Sequence, residues 1–145
     1  MKTATEHLDV IIIGAGLSGI ASAYHLTRQC PDKTFALLEA HEDFGGTWLI
    51  HRYPGARSDS DLYTFGYRFK PWTGKPIASR DEILEYMGEV IEENDLGSRI
   101  RYGHRVLKAS WCSERNRWTL DIERAGTGER LSLTANFLWM CQGYY

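Results

Sequence analysis

The stretch Val10-Ile11-Ile12-Ile13-Gly14-Ala15-Gly16-Leu17-Ser18-Gly19 constrains this chain more than any other. An apolar run breaks into glycines and then resumes with helical spacing, so it reads as strand, tight turn and helix. Glycine is needed three times. Gly14 permits the sharp turn off the strand, Gly16 lets a diphosphate approach the backbone, and Gly19 lets the helix pack close to the strand. The helix start then offers free N–H groups and the positive end of its dipole, an anion site that needs no charged side chain.

A glycine fingerprint alone is common, and its context here makes it specific. Leu8 to Ile13 is a continuous apolar strand of the kind a parallel sheet buries on both faces, and Thr34 to Leu38 is a second. The second strand runs into Glu39, about 20 residues past Gly19, where a dinucleotide fold places the carboxylate for a ribose 2′-OH. The intervening helix spans Leu17 to Arg28, and Pro31-Asp32 turns the chain back, completing a βαβ unit.

From His41 to Pro76 the chain is rich in glycine, aromatic and charged residues without a sustained period, and is expected to be a long irregular loop lying against a ligand. Ser79-Arg80-Asp81-Glu82 is a capping box opening a helix that runs to about Asn94. Ile100–Tyr102, Val106–Trp111, Trp118–Ile122 and Leu131–Ala135 follow as short strands, with turns at Glu114-Arg115-Asn116 and Gly126-Thr127-Gly128 that suggest an antiparallel meander. Phe137 to Cys141 is a separate, buried-type parallel strand ending near Gly143. The fold expected is α/β: a Rossmann-like nucleotide-binding domain, with a parallel sheet begun by the βαβ unit and an inserted antiparallel β-meander.

Composition removes several alternatives. The 145 residues suffice for one core, and a net charge of -2 without a basic stripe argues against nucleic acid. No apolar run reaches membrane-spanning length, and Glu6 and Asp9 ahead of the apolar stretch argue against a secretory signal. A cytoplasmic protein is expected. Cys30, Cys112 and Cys141 have no C-x-x-C spacing and the five histidines are scattered, so neither a disulfide frame nor a metal site is expected.

The loop carries Gly45-Gly46-Thr47-Trp48 and then Arg52-Tyr53-Pro54-Gly55-Ala56-Arg57-Ser58-Asp59-Ser60-Asp61. With the glycine fingerprint, Glu39, Arg68-Phe69-Lys70-Pro71-Trp72-Thr73-Gly74 and Gly143-Tyr144-Tyr145, these segments resemble the N-terminal FAD domain of class B flavoprotein monooxygenases, the Baeyer-Villiger monooxygenases in particular. The resemblance covers nearly the whole chain, and Ser58, where many relatives carry cysteine, favours the ethionamide-type subgroup.

What the resemblance implies is FAD bound in extended form. Gly14, Gly16, Ser18 and Gly19 would hold the diphosphate and Glu39 the adenosine ribose. Gly46, Thr47, Trp48, Leu49 and Ile50 would line the path to the flavin, and the backbone of Val106 would touch the adenine edge. Arg57, Ser58 and Asp59 would stand near the flavin and the nicotinamide, with Asp59 the catalytic candidate, pairing with an arginine that stabilises the oxygen-loaded flavin. The competing reading of Arg57, Asp59 and Asp61 is that they cap turns and pair on the surface; Trp48 and Trp72 could equally be core residues.

By the same resemblance the enzyme would use NADPH and O₂ to oxygenate a ketone, sulfide or thioamide. The NADPH fold and the active-site arginine would lie beyond residue 145, so residues 1–145 are expected to be the FAD-binding portion only. An incomplete sheet with an open edge is expected to promote self-association. The alternative in another class is a catalytically silent flavin-binding module. Disulfide reductases are disfavoured by the absence of a cysteine pair, and amine oxidases by the sequence following Gly45-Gly46.

Overall fold

The computed structural model describes residues 4–144; Tyr145 of the terminal motif lies outside the described residues. Six strands form one sheet: β1 (Glu6–Ile13), β2 (Phe35–Leu38), β3 (Ile100–Arg101), β4 (His104–Cys112), β5 (Arg117–Arg124) and β6 (Arg130–Met140), in the order β3-β2-β1-β6-β5-β4. The β3, β2, β1 and β6 pairings are parallel, whereas β6-β5 and β5-β4 are antiparallel. This is the expected α/β architecture with a Rossmann-like start and a meander.

Alternating residues of β1 and β2 feed two cores. Val10, Ile12, Phe35 and Leu37 pack beneath helix α1 (Leu17–Gln29) and helix α4 (Arg80–Glu93), against Ile20, Ala23, Ile83, Met87 and Val90. Ile11, Ala36 and Leu38 pack with Leu120, Ile122, Leu133 and Ala135 of the meander. Burial on both faces is why β1 reads as an unbroken apolar run rather than an alternating one. The capping box of α4 forms as expected, with Ser79 N–H donating to Glu82 Oε2 at 2.8 Å and Glu82 N–H to Ser79 Oγ at 3.3 Å.

Three expectations are corrected. Ile100–Tyr102 does not begin the meander: β3 covers Ile100 and Arg101 and pairs parallel with Leu37 and Leu38 at the sheet edge. The segments Leu131–Ala135 and Phe137–Cys141 are one strand, β6, and not two. Residues 130–135 pair antiparallel with β5 and residues 133–140 parallel with β1, so Leu133, Thr134 and Ala135 are paired on both sides. Asn136, the polar residue between the two expected segments, is not a break because β1 satisfies it: its Nδ2 donates to Asp9 Oδ1 at 3.3 Å, and its Oδ1 lies 3.1 Å from His7 Nε2.

The third correction concerns residues 41–76, which are not wholly irregular. They hold two single-turn helices, α2 (Thr47–Ile50) and α3 (Leu62–Phe65), and Asp61 caps α3 by accepting from Thr64 N–H at 2.9 Å. The segment is pinned to the domain by backbone bonds from Gly45 N–H to Ala15 O and Ser58 N–H to Ala78 O, and closed on itself by Leu62 N–H to Pro76 O.

Candidate functional site

A groove of about 1280 Å³ opens where β1, β2 and β6 end, bounded by Ile13, Leu38 and Met140. The carboxyl edge of a parallel sheet is where doubly wound folds place their ligands. Its floor is the glycine turn. Gly14 has φ +104°, and a Cβ there would meet the Cys141 carbonyl oxygen at 2.4 Å. Gly19 approaches Gly14 so closely that a Cβ would stand 1.7 Å from the Gly14 carbonyl oxygen. Gly16 differs: its φ of -84° suits any residue, and the nearest atom to an added Cβ is Gly46 Cα at 3.6 Å. Glycine at 16 therefore serves an approach from the groove, not the packing of the protein.

Gly16 is also the N-cap of α1, and no side chain caps it. The first-turn N–H groups thus remain free and, with the helix dipole behind them, are suited to an anion. The second glycine pair packs on the first: Gly45 N–H donates to Ala15 O at 2.9 Å, and Gly46, with φ +55°, leaves 3.0 Å between an added Cβ and Gly16 Cα. The two motifs, thirty residues apart in sequence, form one wall.

Glu39 is buried at the adjoining end. Its Oε2 accepts from Ala15 N–H at 2.8 Å, while its Oε1 accepts from His41 N–H and lies within 3.0 Å of His41 Nδ1. These contacts fix the carboxylate at the groove and leave it lone pairs for a hydroxyl. Burial beside Asp43 and Glu39 pushes the neighbouring Tyr102 phenol up to about 12.

Gly14, Gly16, Ser18, Glu39, Gly46, Thr47, Trp48, Ile50, Arg57, Ser58, Asp59 and Val106 all line the groove. Two expected residues do not. Gly19 is buried under the turn, and Leu49 points its side chain into the core while its carbonyl accepts from Arg52 Nε at 3.0 Å and Arg80 Nη2 at 3.3 Å. Ser58 is buried, and its hydroxyl accepts from Ala78 N–H at 3.1 Å, so it holds the loop as well as the wall. Arg57 and Asp59 are exposed, and among the described residues neither side chain has a hydrogen bond or ion pair. Surface pairing therefore does not account for them, whereas Asp61 is the turn cap that reading described. Trp48 lines the groove and also touches the core; Trp72 donates to Lys75 O at 2.7 Å and packs edge-on against Tyr86.

Sequence reasoning missed Tyr67, His41 and His104, which also line the groove. His41 was findable from its place two residues after Glu39. Tyr67 gave no signal, since its position depends on stacking with Phe69 and Tyr86.

Residues 12–73 match the family model of an NAD(P)-binding Rossmann-like domain. Over 142 residues, 97% of this chain, the sequence is 50% identical to the FAD-containing monooxygenase EthA of Mycolicibacterium smegmatis, and covers 28% of that protein. It is 49% identical over 141 residues to the probable FAD-binding monooxygenase AlmA of an Acinetobacter species, again 97% of this chain and 28% of the relative. A cyclohexanone-bound cyclohexanone monooxygenase superposes on 98% of the chain with a TM-score of 0.85 and 28% identity, the match covering 28% of that structure. A steroid monooxygenase bound to NADP gives 0.83 and 34% over 96% of this chain and 26% of that one. The chain thus spans under a third of the length of these relatives. Among the described residues no helix is long and apolar enough to cross a membrane.

Proposed function

We infer that the chain belongs to the FAD-containing monooxygenases and that residues 1–145 form their FAD-binding domain. The observation that carries this is the bare, uncapped glycine turn at the strand ends beside a buried, oriented Glu39, in a chain half identical to proteins named for FAD. The residues fit the group. Gly14, Gly16, Ser18 and the free N–H groups of α1 would take the diphosphate, and Glu39 the ribose. Gly46, Thr47, Trp48 and Ile50 would guide the chain of the cofactor toward the flavin, with Val106 at the adenine end. Gly19 and Leu49 act from beneath, by holding helix and loop in place.

When bound and reduced by NADPH, the flavin supplies oxygen activation. The protein's share is to bind, orient and screen. Arg57 would offer its guanidinium to the nicotinamide cofactor near the groove mouth, and Asp59 an unpaired carboxylate that orients a cationic partner near the flavin. We read the substrate as a ketone or a soft sulfur or nitrogen centre, and the setting as cytoplasmic. Self-association through the open part of β6 belongs to the same proposal.

A second reading, a flavin-binding module without turnover, draws on one observation: no arginine among the described residues pairs with Asp59. Assaying NADPH oxidation together with sulfoxide or ester formation by the FAD-loaded chain separates the two. FAD binding without turnover is the result expected of these residues alone. Coupled oxygenation abolished by Asp59→Ala would instead give the whole reaction to this chain.

A further inference from the structure

Tyr67 lies in the groove wall, and its hydroxyl donates to the Leu17 carbonyl oxygen at 2.6 Å. That carbonyl belongs to the same peptide group as the Ser18 N–H, which sits at the second position of α1 and has no acceptor within the helix. A hydrogen bond to the carbonyl draws electron density from the amide and makes its N–H a stronger donor. We propose that Tyr67 is a positioning residue for the diphosphate of a bound dinucleotide, acting through the Leu17–Ser18 peptide group. The proposal rests on the FAD reading above.

The ring is held where this requires. It stacks with Phe69 at 4.7 Å and Tyr86 at 5.7 Å, and the backbone N–H of Tyr67 donates to the Tyr86 hydroxyl at 2.8 Å. The Tyr86 hydroxyl in turn donates to Lys70 O at 2.6 Å, so α4 fixes the stack and the stack fixes the first turn of α1. Packing alone explains a ring here, and Phe69 in the same stack does without a hydroxyl. Burial, reinforced by Tyr86, raises the Tyr67 phenol far above the ordinary range, which keeps the proton that the donor role needs.

The test is calorimetric titration of the wild-type chain, Tyr67→Phe and Tyr86→Phe with FAD, ADP and adenosine, with circular dichroism melts of each. Tyr67→Phe is expected to weaken FAD and ADP by about three- to tenfold, the range of one hydrogen bond, and to leave adenosine unchanged. Tyr86→Phe loses the hydroxyl that anchors the Tyr67 backbone but keeps the Tyr67 bond to Leu17 O, so it should weaken FAD and ADP by less than Tyr67→Phe does and leave adenosine unchanged. Unchanged ADP affinity in Tyr67→Phe, or an equal loss for ADP and adenosine, overturns the proposal while FAD binding by wild type stands. A wild-type chain that takes neither FAD nor ADP overturns the FAD reading and this inference together.

Discussion

Gly16 and Gly19 differ by three positions and fail in different ways when filled. A methyl at 19 would lie 1.7 Å from the Gly14 carbonyl oxygen, inside the backbone itself. Gly19→Ala should therefore destabilise the fold by about 3 kcal/mol or prevent soluble expression. Gly16→Ala meets only ordinary contacts and an allowed φ, so it should melt within a few degrees of wild type yet bind FAD at least tenfold more weakly. Thermal melts paired with FAD titration of both variants check this. Tyr102 offers a second residue-level expectation. Its folded pKa of about 12 exceeds the ordinary phenol value of about 10, so the folded state favours the neutral form. That contribution is complete below about pH 10 and is lost as pH rises toward about 12. Tyr102→Phe should thus lose less of its melting temperature than wild type over that window. The gathering of Glu39 and the glycines at the strand ends was legible because a tight turn and a close helix–strand approach dictate residue type. Tyr67 and the burial of Leu49 were not, because both depend on which segments meet in space.

Helix α4 shows how far local chemistry reaches, since its start was legible from Ser79 and Glu82 alone. Ser79→Ala removes one half of the reciprocal cap and should cost about 1 kcal/mol in a denaturant titration, with no change in FAD affinity. Strand β6 shows where local chemistry stops. Its two ends carry different patterns because the start pairs only with β5 and residues beyond Ala135 only with β1, and Asn136 looks like a break until His7 and Asp9 are placed beside it. The single-turn helices α2 and α3 were equally illegible. Each is a single turn closed by backbone bonds at its ends, with too few residues to show a period.

At the scale of the molecule, the described sheet is open along the second half of β6. Residues 136–140 pair with β1 on one side, and β5 ends opposite Ala135. Phe137, Trp139 and Met140 are exposed at 57%, 37% and 54%. An unprotected edge beside apolar side chains favours association. Sedimentation velocity of the chain should show species larger than a monomer, and Phe137→Lys with Trp139→Lys should restore the monomer; a wild-type monomer at all concentrations would contradict this. The central claim is that these residues alone complete an FAD site. The absorption spectrum of the purified chain, before and after heat release with the released compound identified by chromatography, tests it most directly. Flavin bands that disappear with the released compound, and FAD in the supernatant, are the predicted result. A folded, colourless chain that also refuses added FAD would contradict the account.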